Sequence, residues 1–137
     1  MPLKQSSNVQ LIKMSAPFDQ THLFQVIATN IQRDVPELTA AEVRQRIMER
    51  EHEGETYIGY GVVLLHLISD AVSEAGVLLV KSAIPMRWRS AYSGEDHLVD
   101  KFVVLAIAAH GDDGAKLRPL MQRLADEAST NQLFEME

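Results

Sequence analysis

No cysteine occurs among the 137 residues, which excludes a disulfide framework, a thiolate zinc site and a cysteine nucleophile on this polypeptide. That composition suits a reducing cytoplasm, although lack of cysteine is compatible with any compartment. Basic clusters are scarce too. The formal charge is −6, and Arg87-Trp88-Arg89 is the nearest approach to a basic patch. Nucleic-acid binding that depends on many phosphate contacts is therefore disfavoured. Long apolar runs are missing as well: the longest, Phe102 to Ala109, falls far below the ~20 residues that span a bilayer. Residues 1–8 are polar and lack the apolar stretch of a signal peptide, so no targeting segment is expected. Neither an internal repeat nor a low-complexity tract nor a linker divides the chain.

What remains is an ordinary globular composition, 46% hydrophobic and 23% charged. The length suits one domain, expected to occupy residues 1–137, and a domain of this size hides roughly 70% of its unfolded surface without staples. Val9 to Met14 mixes apolar and polar positions as a short first strand does. Leu23, Val26, Ile27 and Ile31 then share one helical face, with Asp19 or Thr21 available as the cap. Thr39-Ala40-Ala41-Glu42 matches a capping box and opens a second helix with Val43 and Ile47 one turn apart. Its end is expected near Gly54.

The period then changes. Tyr57 to Leu65 is rich in β-branched and aromatic residues, and its later part is continuously apolar, as in a strand covered on both faces. Gly76 to Val80 and Phe102 to Ile107 read the same way. Met86 to Asp100 reads as a polar excursion, a loop with one short edge strand. After the turn-forming Gly111-Asp112-Asp113-Gly114, a last helix carries Leu117, Leu120, Met121, Leu124 and Ala128 on one face, with Pro119 placed in its first turn. Together these elements predict an α/β (α+β) three-layer α/β/α sandwich, a mixed sheet with helices on both faces.

His66 stands where the apolar run Gly61-Val62-Val63-Leu64-Leu65 is expected to end. An imidazole is the one side chain that titrates near neutrality, so it can offer a nitrogen lone pair in the crevice where loops gather. A phosphoryl group on it would carry close to two negative charges. Arg50 has the planar fork of donors to hold them, and Thr56 a hydroxyl. The same pattern also suits a satisfied strand-end histidine beside a solvated helix arginine. Other candidates are thinner. His110 adjoins the Gly111–Gly114 turn. His52 lies among Glu51, Glu53 and Glu55 but lacks the second histidine one turn away that a zinc helix needs. Ser90 and Ser93 have no evident base. Met86 and Trp88 are candidates for an apolar contact surface, and Trp88 equally for the rim of the core.

The stretch Met48-Glu49-Arg50-Glu51, followed by Thr56-Tyr57-Ile58-Gly59-Tyr60-Gly61-Val62-Val63-Leu64-Leu65-His66, resembles the signature of enzyme IIA domains of the mannitol/fructose class, from the sugar phosphotransferase system. The resemblance runs roughly from Val9 to Ala128 and includes the downstream strand, turn and amphipathic helix. It implies that His66 carries the phosphoryl group through Nε2 and that Arg50 steadies its oxygens. It further implies a cytoplasmic phosphocarrier that receives phosphate from the histidine carrier HPr and gives it to a cysteine of an enzyme IIB domain, with no metal or organic cofactor. Three positions depart from the family pattern. Leu65 replaces a proline, Tyr60 stands where a small or acidic residue is usual, and Lys116 takes the place of a second histidine. These departures also fit a regulatory, protein-binding relative with weak or no phosphotransfer.

Overall fold

The computed structural model describes residues 9–15, 18–73, 75–109 and 114–135. Its elements follow in the order β1 (Val9–Met14), α1 (Gln20–Asp34), α2 (Ala40–Glu51), β2 (Tyr57–Gly59), β3 (Val62–Ser69), β4 (Gly76–Arg89), β5 (Asp96–Ala108), α3 (Gly114–Leu124) and α4 (Glu127–Leu133). The five strands form one sheet in the order β1-β4-β5-β3-β2. β1 runs parallel to β4 and β3 parallel to β5, whereas β4–β5 and β2–β3 are antiparallel. The sheet is mixed, as expected.

Local chemistry starts both early helices. Asp19 accepts the amide of His22, and Thr39 and Glu42 close the capping box reciprocally, so orphan amides at each N-terminus find oxygen. α1 stops at Asp34 because Val35 precedes Pro36, and the residue before a proline is pushed out of helical angles.

Strand alternation then sorts the apolar residues into two layers. On one face Val63, Leu65, Leu67, Leu78, Val80, Trp88, Phe102 and Val104 pack with Leu23, Phe24, Ile27 and Ile31 of α1 and with Val43 and Ile47 of α2. On the other, Val62, Leu64, Val77, Leu79, Val103 and Leu105 meet Leu120 and Leu124 of α3, with Leu133 and Phe134. Helices thus cover both faces.

Four sequence expectations change. The segment Tyr57–Leu65 is two strands, turned at Gly59, Tyr60 and Gly61, all of which have positive φ. Gly61 is obligatory there, since a Cβ would lie 2.7 Å from the Asp100 carboxylate. Second, β3 continues through His66 to Ser69. Leu65 is fully buried and keeps the backbone N–H that a proline would remove, so nothing interrupts the strand.

Third, Met86–Asp100 is mostly the far half of the β4–β5 hairpin. Met86 pairs with Val99, Trp88 with His97 and Arg89 with Asp96, beyond a register irregularity between Lys81 and Met86. Trp88 is 1% exposed and belongs to the core, not to its rim. Fourth, the last helix is broken. Asp126 accepts the amide of Ser129 and starts α4 afresh, which leaves Ala128 exposed. Pro119 is the sixth residue of α3, past its first turn. The N–H it lacks is one that α3 would otherwise pair with the carbonyl four residues before.

Candidate functional site

α2 and β3 run antiparallel, and three contacts fix how they line up. At the C-terminal end of β3, Arg46 donates from Nη1 to the carbonyl of Ile68 at 3.1 Å. At the other end, the Thr56 hydroxyl donates to Glu51 Oε1 at 2.8 Å, while the Thr56 carbonyl accepts from the amide of Leu64 at 2.9 Å. Arg50 lies one helical turn beyond Arg46, about 6 Å. His66 lies two strand residues before Ile68, about 6.6 Å. The two steps match, so Arg50 is drawn level with His66. Its guanidinium folds back toward Gly54, whose Cβ position is 3.6 Å from Nη1.

His66 is the fifth residue of β3, in register with Leu105 of β5. Alternation places it with Val62 and Leu64, on the face that α3 and α4 cover. β2 pairs only as far as Val63, so among the described residues β3 has no strand beside it on that side at His66. Burial, and then the positive charge of Arg50, hold the imidazole below its usual pKa. A neutral ring with a free lone pair is therefore its form at neutral pH. Its Nδ1 is buried and has no hydrogen-bond partner.

Glu51, which in the sequence is one of the acids around His52, completes this corner. It is 2% exposed. Oε1 accepts the Thr56 hydroxyl, whereas Oε2 is buried without a partner. Burial pushes its pKa up to about 7, against the Thr56 hydrogen bond and the Arg50 charge, which lower it, and with the help of Glu55, which raises it. A carboxyl in that range is half charged near neutrality. The signal that could have found it is Thr56, a buried hydroxyl five residues on. Arg46 was missed as well, although its spacing of four from Arg50 puts both arginines on one helix face.

The remaining candidates separate. Thr56 is 3% exposed and gives its hydroxyl to Glu51. Tyr60 sits in the turn that precedes β3, roughly 15–20 Å along the strand from His66. His52 caps the C-terminus of α2 and is exposed. Ser90 accepts the amides of Tyr92 and Ser93 in the β4–β5 turn, and Ser93 donates to Glu55 at 2.9 Å. His110 and the Lys116 side chain lie outside the described residues.

Among the described residues the metal-ligand types that converge are Glu55, Glu95 and His97, with ligand atoms within 4.8 Å of one another. That group is at the hairpin tip and does not include His52. Burial is the largest single influence on Glu55 and raises its pKa, but hydrogen bonds from Ser93, Ser90 and the backbone together outweigh it and hold the carboxyl below its usual range. No helix of the described residues is long and apolar enough to cross a membrane.

The mixed five-stranded sheet with helices on both faces is the architecture expected from the sequence, and in it Arg50 lies level with a half-buried His66. The family model for "Phosphoenolpyruvate-dependent sugar phosphotransferase system, EIIA 2" matches residues 6–137. The chain belongs to this enzyme IIA family. It is thus a component of a phosphotransferase system, and its fold is that of solved IIA proteins. The nitrogen regulatory protein IIA-Ntr from Neisseria meningitidis superposes with a TM-score of 0.70 at 19% identity, over 99% of this chain and 88% of that one. The mannitol IIA of Escherichia coli gives 0.60 at 18% identity, over 93% and 87%. No curated protein is a significant match in sequence.

Proposed function

We propose that this enzyme IIA domain, taken as one unit over residues 1–137, is a cytoplasmic phosphocarrier of the mannitol/fructose type that accepts a phosphoryl group on His66. The observation that carries the reading is a neutral, half-buried imidazole level with Arg50 and under the influence of its positive charge, on a strand that among the described residues has no strand beside it on one side at that point. With Nδ1 enclosed, Nε2 is the ring nitrogen left to meet phosphorus. Its lone pair forms the N–P bond while the N–P bond of phospho-HPr breaks, and the electron pair returns to the donor's nitrogen. The reverse exchange passes the group to the cysteine of an enzyme IIB domain.

Arg50 neutralises the equatorial oxygens, which is the main service a protein renders to phosphoryl transfer. Thr56 acts one step back. Its hydroxyl is bound to Glu51, so it supports the corner instead of touching the phosphoryl group. Lys116 supplies positive charge where the family places its second histidine.

Incubation with phosphoenolpyruvate, enzyme I and HPr should give an acid-labile phosphoryl adduct by mass, absent in His66→Ala. No adduct, or one that survives His66→Ala, contradicts the reading.

A second reading has its own support: the similarity to IIA-Ntr, described as nitrogen regulatory, together with Leu65 in place of proline. In that version the phosphorylated and unmodified forms differ in affinity for a regulator. Identical pull-down profiles with efficient transfer to an enzyme IIB domain would exclude it.

A further inference from the structure

We propose that Glu51 is a positioning residue whose buried carboxylate takes up a proton when the phosphoryl group arrives on His66, so that loading of the carrier is linked to proton uptake. The proposal rests on the phosphocarrier reading and adds a regulatory property to that site. Its basis is the geometry of the α2–β3 corner.

Glu51 is enclosed, and its Oε2 has no donor. A buried carboxylate in that state is tolerated only with a cation nearby. Arg50, its neighbour on α2, supplies that charge, and the same guanidinium acts on His66. Among the described residues no other cation acts on the carboxyl. Glu55, from the segment after α2, repels it, and Thr56 offers a neutral hydroxyl. The β3 side chains that face α2 are Val63, Leu65 and Leu67, all uncharged.

A phosphoryl group on Nε2 brings close to two negative charges to the other side of Arg50. The guanidinium then serves the phosphoryl oxygens and its compensation of Glu51 falls, while the repulsion from Glu55 stays. The carboxylate takes one proton from solvent and becomes a neutral carboxyl. Its carbonyl oxygen still accepts the Thr56 hydroxyl, so the end of α2 and Arg50 with it stay in place. Because the pKa of Glu51 is already pushed up to about 7, the change falls in the physiological range. Linkage is reciprocal, so protonation of Glu51 must favour loading by the same factor.

The test is a carbon-13 NMR titration of the Glu51 carboxyl in the full chain, assigned with Glu51→Gln. It is run on unmodified protein, on phosphorylated protein and on His66→Glu, which places a carboxylate beside Arg50 without any phosphotransfer. The midpoint should rise by about one pH unit or more in both charged states, a shift that a purely structural role would not produce. An unchanged midpoint in His66→Glu and in phosphorylated protein overturns the proposal and leaves the carrier reading intact. A shift in His66→Glu with no phosphorylation by HPr supports the linkage and removes the carrier reading.

A second measurement holds even where Glu51→Gln fails to fold. Between pH 8 and pH 6, the ratio of loaded to unloaded wild-type protein at equilibrium with phospho-HPr should rise about threefold to tenfold as Glu51 protonates. A ratio that does not change with pH overturns it. In folded Glu51→Gln that rise should be reduced.

Discussion

Two regions of this molecule hold the same kinds of side chain and differ in what they can do. At the α2–β3 corner are His66, Glu51, Thr56 and Arg50. At the tip of the β4–β5 hairpin are His97, Glu95, Ser93 and Arg87. Each histidine has one buried nitrogen without a hydrogen-bond partner. Around them the two regions diverge. His97 stacks on Tyr57 with ring centroids 3.9 Å apart and has its Nε2 3.9 Å from Glu95. The carboxylates there are exposed, Arg87 and Arg89 both pair with Asp96, and the hydrogen bond from Arg89 holds the Asp96 carboxyl below its usual range. At the corner the carboxyl is buried and only half satisfied, and the histidine faces a cation. Residue type is shared; burial and the sign of the neighbouring charge are what separate the corner proposed as reactive from the solvated tip.

The comparison can be broken by matched substitutions. The largest effect is expected at the histidines: His66→Ala should abolish the phosphoryl adduct, and His97→Ala should leave its yield within about twofold. Adduct mass after the same incubation reads both. Arginines come next. Arg50→Ala should slow phosphoryl transfer about 10²–10³-fold, the scale for removing one preorganised charge donor, whereas Arg87→Ala should change it by less than about twofold, measured as the rate of HPr-dependent labelling.

The acids differ in stability more than in rate. The folded pKa of Glu51 is raised from 4.5 to about 7. Its contribution is therefore fully present below 4.5 and lost as pH rises through 7. Glu51→Gln removes that loss, so denaturant unfolding at pH 8 relative to pH 4.5 should favour the variant by about 1–3 kcal/mol. The matched Glu95→Gln, at an exposed position, should change stability by less than about 0.5 kcal/mol. The hydroxyls give the smallest pair. Thr56→Val leaves a buried carboxyl with no donor on either oxygen and should cost about 1–3 kcal/mol. Ser93→Ala removes an exposed bond to Glu55 and should cost less than about 0.5 kcal/mol.

Much of the fold was legible because its signals are local. The capping box at Thr39 and Glu42, the Asp19 cap and the 3.6-residue spacing of Leu23, Ile27 and Ile31 need only neighbours along the chain. Hairpins were harder. Gly59-Tyr60-Gly61 between apolar residues reads as a strand that contains glycine, and only the closeness of Asp100 shows why Gly61 must turn. The far half of the β4–β5 hairpin was hidden by its solvent-facing Arg87, Arg89 and Asp96, although Met86 and Trp88 alternate with them on the buried side. The break before α4 depends on a cap, Asp126, in the middle of a continuous helical pattern.

The site divides likewise. His66 and Arg50 announce themselves by residue type. The burial of Glu51 does not, because in sequence it is one acid among Glu49, Glu53 and Glu55. Only the folding back of Thr56 over the end of α2 encloses it.

The central claim is that His66, held neutral beside Arg50, carries phosphorus on Nε2. Phosphorus–nitrogen coupling in protein labelled with nitrogen-15 in its imidazoles, recorded after HPr-dependent phosphorylation, tests it most directly. The coupling should appear on Nε2 of His66 and on no other ring nitrogen. Coupling on Nδ1, on another histidine such as His97, or on none would contradict it.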